Sequence, residues 1–211
     1  VFKGIVFDDS LAKEYWLELK EFNKEPNSVA LDVDVVSEFN NRKRYHYRAK
    51  IFLSAARSER PMVSRTENEA TFEDAGIQLY EDGTLFHGPA FRGIESIESL
   101  NESHLRMACR VPTVNGVKQG QFSLNTINHF MLDVGFQSMV IWARRFFDAA
   151  SLPLSCQFGE QYAIARAGDP FYVDMEVESS SEKSLVANIE VSDPDGRLYT
   201  RPGSSTHLRA H

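Results

Sequence analysis

The sequence predicts an α+β fold in which an antiparallel sheet wraps around one central, apolar helix. Three observations support this prediction. The stretch from Phe130 to Trp142 is apolar on nearly every side, as expected of a helix that is surrounded by protein. Segments on both sides of it alternate apolar and polar residues with the period of a strand. Turn residues separate these segments, as in an antiparallel sheet.

The N-terminal part of the chain is predicted to form a small antiparallel meander. Residues 1–8 are rich in Val, Ile and Phe and indicate a first strand. Three further segments have a period of two: residues 15–20, 29–35 and 45–53. A sheet with one apolar face must cover that face, and no helical pattern occurs before residue 54. The face is covered either by a helix encoded upstream of Val1 or by the second half of the chain, and we favour the upstream helix.

A polar segment separates this meander from the rest of the chain. It contains few strong hydrophobic residues, and Pro61 and Gly76 are its main structure breakers. We therefore assign residues 1–60 to an N-terminal half, 61–78 to a linker and 79–211 to a C-terminal half.

The C-terminal half is predicted to contain strands on both sides of a helix at about residues 126–149, which Pro153 stops. The predicted strands are Ile94 to Leu100, His104 to Val111, and residues 161–165, 171–178, 185–191 and 198–208. One long helix inside a curved antiparallel sheet is the hot-dog arrangement. The sequence thus predicts a double hot-dog fold whose first half lacks its helix in this chain.

Composition and charge exclude several classes of protein. The 211 residues have a formal net charge of −7, and no basic face with interleaved aromatic residues occurs, so a nucleic-acid binder is not expected. No apolar run reaches the roughly 18 residues that a membrane span needs. The two cysteines lack the spacing of metal ligands or of a disulfide scaffold, so we expect no metal and a cytoplasmic location.

Asp133 and Gln137 are the polar exceptions within the apolar helix. They are four residues apart, so their side chains lie one above the other on the same helix face. A buried carboxyl group is costly unless it is protonated, paired or hydrogen bonded. This pair is therefore the first candidate for a functional site, against the alternative of a structural buried carboxylate.

Three motifs resemble those of a known family. The segment LFHGPAFRG at residues 85–93 is similar to a Gly-Pro-x-Phe loop, Asp133 to Gln137 matches an Asp-x-x-x-Gln motif, and Leu152 to Leu154 is similar to a Leu-Pro-Phe motif. They occur in the order found in the dehydratase domains of polyketide synthases and in the dehydratase-like regions of polyunsaturated fatty acid synthases. The chain is identified as resembling this family.

The resemblance implies removal of water from a 3-hydroxyacyl chain held on the phosphopantetheine arm of an acyl carrier protein, with no other cofactor. It implies that Asp133 donates a proton to the departing hydroxyl group and that Gln137 holds the carboxyl group in place. A general acid must keep its proton near neutral pH, which an apolar environment favours. Substrate contacts are expected from His87, Gly88, Pro89, Phe91, Leu152 and Pro153.

The resemblance also implies partners: the acyl carrier protein, neighbouring domains of one synthase, and a second copy of the chain in a homodimer. The family pattern differs from this chain at His87, Arg92 and Cys156, where Tyr, Gln and Trp are usual. The family's catalytic histidine lies in a His-x-x-x-Gly-x-x-x-x-Pro motif, and none of the six histidines here has that context. We expect the missing upstream helix to carry this base.

Two functions therefore remain open from the sequence. One is a dehydratase, and the other is a non-catalytic module that supports neighbouring domains or holds the acyl chain. A thioesterase, another hot-dog activity, fits less well because the loop and the Asp-x-x-x-Gln motif match dehydratases.

Overall fold

A computed structural model describes Ile5 and residues 14–56, 59–63, 74–114 and 127–210. The chain divides into two compact units: unit 1 is Val1–Ser58 and unit 2 is Glu59–His211. Apart from Ile5, the predicted strand at residues 1–8 lies outside the described residues, and so does most of the predicted linker.

Unit 1 contains a three-stranded antiparallel sheet in the order β1-β2-β3. Its strands are β1 (Tyr15–Glu25), β2 (Ser28–Phe39) and β3 (Arg42–Ser54). Asn40 and Asn41 join β2 to β3 with φ angles of 52° and 57°. Positive φ at both central residues is the requirement of a tight hairpin turn, and asparagine tolerates it better than most residues. These three strands are longer than the alternating segments in the sequence, because the backbone pairing between them continues beyond the residues that alternate.

The two faces of the unit 1 sheet differ in character. Leu17 lies opposite Val35, and Leu19 lies opposite Val33, so these side chains share one apolar face. Leu19 is nevertheless 62% exposed. The other face is charged, and cross-strand ion pairs connect its strands: Lys43 with Glu18, Arg48 with Asp34, and Lys50 with Asp32. Residues 14–56 contain no helix.

Unit 2 is built from a nine-stranded antiparallel sheet and one long helix. Its elements are β4 (Asp74–Ala75), α1 (Gly76–Glu81), a 3₁₀ turn (Pro89–Phe91), β5 (Ile94–Leu100), β6 (His104–Arg110), α2 (His129–Phe147), β7 (Ala150–Ser155), β8 (Phe158–Gln161), β9 (Pro170–Ser180), β10 (Ser184–Ser192), β11 (Leu198–Gly203) and β12 (Ser205–Ala210). The sheet order is β4-β5-β6-β9-β10-β11-β8, and β12 pairs with both β10 and β7.

Helix α2 begins and ends with local capping interactions. The side chain of Asn128 accepts a hydrogen bond from Met131 N at 3.1 Å, which satisfies a free donor of the first turn. Asp148 ends the helix in the left-handed conformation, with φ 49°. Arg144 and Arg145 place positive charge at the negative end of the helix dipole. The helix is therefore shorter than the 126–149 predicted from its apolar pattern, and residue 126 lies outside the described residues.

The core of unit 2 lies between helix α2 and the sheet. The helix contacts β6, β7, β9 and β10. The methyl groups of Val191 and Ile189 lie 3.4 and 3.7 Å from the position a Cβ would occupy at Gly135, so the helix backbone approaches the sheet closely. Val134, Met139 and the inward side chains of β9 and β10 are fully buried. Each such side chain contributes about 1.5–3 kcal/mol of hydrophobic stabilisation.

The region after helix α2 differs from the sequence-based prediction. Pro153 was predicted to stop the helix, but the helix ends at Phe147 and Pro153 lies within strand β7. The partner of β7 is β12. Proline is tolerated there because an edge strand leaves one row of backbone groups unpaired. The single strand predicted at residues 198–208 is two strands, β11 and β12, because Ser204 has φ 45° and interrupts the extended backbone. Strand β8 also ends at Gln161, where the prediction placed its start.

None of the helices in the described part of the chain has the length and apolar character that a membrane span requires.

Candidate active site

A cavity of about 180 Å³ lies beside helix α2 in unit 2. The helix forms one wall, the loop before the 3₁₀ turn forms a second, and strands β7 and β12 form a third. Its lining is mainly apolar, with a few convergent polar groups, which is typical of a small-molecule site. The lining residues are Phe86, His87, Phe91, Asp133, Phe136, Gln137, Val140, Ser151, Pro153 and His207.

Asp133 and His87 face each other in this cavity. Asp133 Oδ2 lies 3.5 Å from His87 Nε2, and the two side chains are 35% and 13% exposed, respectively. Burial lowers the pKa of His87, although the nearby Asp133 carboxylate acts in the opposite direction. His87 Nδ1 is buried and has no hydrogen-bond partner among the described residues. The pair therefore places a carboxyl group and a predominantly neutral imidazole within reach of one ligand atom.

Gln137 connects the helix to the loop. Its Nε2 donates to Asp133 Oδ2 at 2.9 Å and to the backbone carbonyl of Phe91 at 2.9 Å. Both hydrogens of this fully buried amide therefore form hydrogen bonds, and the one to Asp133 fixes the position of the carboxyl group. Gln137 therefore acts on the site through Asp133, as a positioning residue.

Tyr80, on helix α1, completes this network and was not identified from the sequence. Its hydroxyl donates to Gln137 Oε1 at 2.8 Å and accepts from the backbone N–H groups of Gly93 and Ile94, at 3.3 and 3.4 Å. Burial raises the pKa of Tyr80 to about 12, so the phenol remains a donor. No local motif marks Tyr80, because its partner Gln137 lies 57 residues away in the sequence.

His207, on strand β12, is a second residue that sequence analysis did not assign to the site. It is the Cα partner of Pro153 on β7, and both side chains line the cavity. Its Nδ1 lies 3.2 Å from Ser151 Oγ. Burial lowers the pKa of His207 to about 4, so the ring is neutral near neutral pH. Only the pairing of β12 with β7 brings it to the cavity.

The structure brings five of the eight residues that the sequence predicted for the site to the cavity wall: His87, Phe91, Asp133, Gln137 and Pro153. Leu152 does not line the cavity and is 56% exposed. Successive strand residues point to opposite faces, so Leu152 is directed away from Ser151 and Pro153. Gly88 precedes the 3₁₀ turn and Pro89 begins it, and neither residue lines the cavity.

In this loop, lack of space for a side chain requires glycine at position 93 but not at position 88. Gly88 has φ −71°, which any residue adopts, and an added Cβ would meet nothing within 4 Å. At Gly93 a Cβ would lie 2.8 Å from the carbonyl oxygen of Arg110 and 2.9 Å from Val134 Cγ2. Glycine is therefore required at position 93, where the loop passes against the helix and sheet.

Among the residues that the structure describes, no group of three or more His, Cys, Asp or Glu side chains is arranged as a set of metal ligands.

Comparisons with known proteins agree with this architecture. A sequence model of the family described as polyketide synthase dehydratase N-terminal domain matches residues 54–201. The chain is 30% identical over 179 residues to one of the subunits of the polyunsaturated fatty acid synthase of Thraustochytrium sp. (strain ATCC 26185 / S-3). That match covers 83% of this chain and 6% of the relative, so the chain spans a small part of that protein's length.

Solved structures show the same fold. A trans-AT polyketide synthase dehydratase domain from Brevibacillus brevis matches with a TM-score of 0.69 at 15% identity, covering 92% of this chain and 69% of that one. The dehydratase domain of RzxB from Pseudomonas fluorescens matches with a TM-score of 0.70 at 11% identity, covering 96% and 71%. The predicted hot-dog fold, with an antiparallel sheet around one main helix, is confirmed.

Proposed function

The chain belongs to the family of polyketide synthase dehydratases, and we propose that it removes water from 3-hydroxyacyl chains carried on an acyl carrier protein. One observation carries this proposal: Asp133 projects from an apolar helix into a cavity and is held there by Gln137. A positioned carboxyl group beside an apolar channel is what protonation of a departing hydroxyl group requires.

In the proposed reaction, a base takes the proton at C2, and the C2–H electron pair becomes the second bond of the C2=C3 double bond. The C3–O bond breaks, and Asp133 donates its proton to the departing oxygen, so the products are a 2-enoyl chain and water. Asp133 must therefore enter the reaction protonated. Gln137 keeps the acid oriented because its amide also binds the fixed carbonyl of Phe91.

Among the described residues, we assign His87 as the base that removes the C2 proton. Its Nε2 lies 3.5 Å from Asp133 Oδ2, so one 3-hydroxyacyl group can contact both side chains. Burial lowers the pKa of His87, which keeps the ring neutral and able to accept a proton. None of the histidines lies in the motif that the resemblance implies, and His87 is the histidine whose ring nitrogen lies 3.5 Å from the carboxyl group of Asp133.

We propose that the acyl chain occupies the apolar part of the cavity. A volume of about 180 Å³ is below the roughly 300–1,000 Å³ of typical small-molecule pockets, so it suits the reacting end of a chain. The phosphopantetheine arm would hold that end in place, and no further cofactor takes part. The proposed setting is a cytoplasmic polyketide or polyunsaturated fatty acid synthase, with neighbouring domains and a second copy as further partners.

The central test is Asp133→Asn in the full-length protein, measured as hydration of an enoyl carrier substrate by loss of its absorbance. Turnover should fall about a hundredfold to ten-thousandfold, because the amide keeps the volume but has no proton to deliver. Asp148→Asn is the matched control: it makes the same change at the end of the same helix, outside the cavity, where asparagine suits the left-handed cap. Unchanged turnover in Asp133→Asn would contradict the assigned acid, and an inactive parent protein would favour the non-catalytic module.

The base is tested by His87→Gln, with His129→Gln as a control at the start of helix α2. A loss as large as that of Asp133→Asn, with unchanged ligand binding, is expected. Near-normal turnover would assign the base to another part of the full-length protein.

A further inference from the structure

His207 has a buried nitrogen that no protein group among the described residues satisfies. The side chain is 1% exposed, and its Nε2 has no hydrogen-bond partner in that part of the chain. It lines the same cavity as Asp133, and the aromatic ring of Phe136 is 6.2 Å away. A buried polar atom without a partner is destabilising, and its presence at a ligand cavity indicates that a bound molecule supplies the partner.

The other ring nitrogen determines which kind of ligand atom fits. Ser151 Oγ lies 3.2 Å from His207 Nδ1, and Ser151 is itself fully buried. When this hydroxyl donates to Nδ1, the ring proton resides on Nε2, because a neutral imidazole carries only one. The low pKa of His207 keeps the ring in this neutral form. Nε2–H is then a buried donor without an acceptor among the described residues, on a side chain that lines the cavity.

The proposed substrate contains two oxygens near its reacting carbons. The proposed function assigns the 3-hydroxyl oxygen to Asp133, which leaves the thioester carbonyl oxygen at C1. This oxygen gains negative charge when the C2 proton departs, and a fixed neutral donor stabilises such charge more in the transition state than in the ground state. The walls around His207 include Phe136 and Pro153, which offer no competing donor.

Building on the proposed function, we propose that His207 Nε2–H binds the thioester carbonyl oxygen of the 3-hydroxyacyl chain. His207 is thereby a further catalytic residue, and Ser151 is a positioning residue that selects its tautomer. Asp133 and His207 then contact the two oxygens of one substrate from different walls of the cavity, the helix and strand β12.

The test compares two inert substrate analogues on pantetheine in the full-length protein. One has a CH₂ group in place of the thioester sulfur and keeps the carbonyl, and the other also lacks the carbonyl oxygen. The parent protein should bind the carbonyl analogue about tenfold more tightly, as one added hydrogen bond predicts. His207→Leu should abolish this preference, and His207→Gln, which keeps an N–H donor, should restore part of it. In turnover, His207→Leu should lower kcat more than it changes KM.

Equal weakening of both analogues by His207→Leu, or a preference that persists in it, would overturn the role of His207 alone. Failure of the parent protein to bind either analogue would overturn the proposed function as well. Ser151→Ala provides an independent variant if His207→Leu does not fold. It removes the hydroxyl that selects the tautomer and should reduce the carbonyl preference, and a full preference in this variant would contradict the proposal.

Discussion

The sheets of the two units are built from similar alternating strands but differ in what covers their apolar faces. In unit 2, Met175 and Ile189 of the sheet are completely buried under helix α2. In unit 1, Leu17 and Leu19 occupy the equivalent kind of position and remain more than half exposed. An alternating pattern therefore identifies the apolar face of a sheet but does not determine whether that face is covered.

The ion pairs of the unit 1 sheet also differ from the Arg106–Asp174 pair of unit 2. In unit 1 the ion pairs lie on an exposed face, as between Lys50 and Asp32. In unit 2 the guanidinium of Arg106 contacts Asp174 where both side chains are largely buried. Side chains of the same type are therefore expected to contribute differently to stability in the two units.

The largest expected contrast is between apolar side chains on the inward faces of the two sheets. Met175→Ala in unit 2 should lower the free energy of unfolding by about 2–5 kcal/mol, because it leaves a cavity in a packed core. Leu19→Ala in unit 1 should change it by no more than about 0.5 kcal/mol. Urea unfolding of both variants checks this. A large cost for Leu19→Ala would show that the unit 1 face is covered in the protein tested, as the sequence-based expectation of an additional helix requires.

The ion pairs offer a second contrast. Arg106 Nη1 lies 2.6 Å from Asp174 Oδ1, and Arg106→Gln should cost about 3 kcal/mol because it leaves a largely buried carboxylate without its guanidinium partner, with only His104, at 3.6 Å, nearby among the described residues. Lys50→Gln should cost at most about 1 kcal/mol, since its 2.8 Å contact with Asp32 is screened by solvent. Thermal unfolding at low and high salt measures both. Similar costs for the two variants would remove this difference between the units.

The cavity histidine should make unit 2 sensitive to acid. Burial lowers the pKa of His207 from 6.5 to about 4, so between these values the unfolded chain binds a proton that the folded chain does not. The free energy of unfolding should therefore fall by about 3 kcal/mol as the pH drops through this window, with full stability above pH 6.5. Urea unfolding at several pH values should show a smaller fall for His207→Gln. An identical pH dependence in the variant would assign the acid sensitivity to other groups, including His87.

The smallest expected effect comes from the network behind Asp133. Tyr80→Phe removes the hydroxyl that binds Gln137 Oε1, which leaves a buried amide oxygen without that donor. The expected cost is about 1–3 kcal/mol, together with a lower kcat because the position of Asp133 is less well defined. Tyr162→Phe, whose hydroxyl contacts the exposed Glu160, is the control and should have little effect. Equal turnover in both variants would show that Tyr80 supports the fold alone.

The sequence by itself determined the local features of this protein. Helix α2 follows from an apolar run without a polar face, and the helical period of 3.6 places Asp133 and Gln137 on one side of it. The strands Ile94–Leu100 and His104–Arg110 were also predicted from the sequence. The three motifs were sufficient to indicate the family and its fold. These features depend on residues a few positions apart, whose relative directions are set by backbone geometry.

Only the tertiary structure decided which distant residues meet at the cavity. Tyr80 reaches Gln137 across 57 residues because α1 packs against β5. His207 reaches Ser151 across 56 residues because β12 pairs with β7. Proline at position 153 also conceals strand β7 from a prediction based on local pattern. The physical reason is that hydrogen bonds between separated segments leave no periodic trace in the sequence. They exist because burial in one core leaves polar groups that must find partners, and the fold determines which partners are within reach.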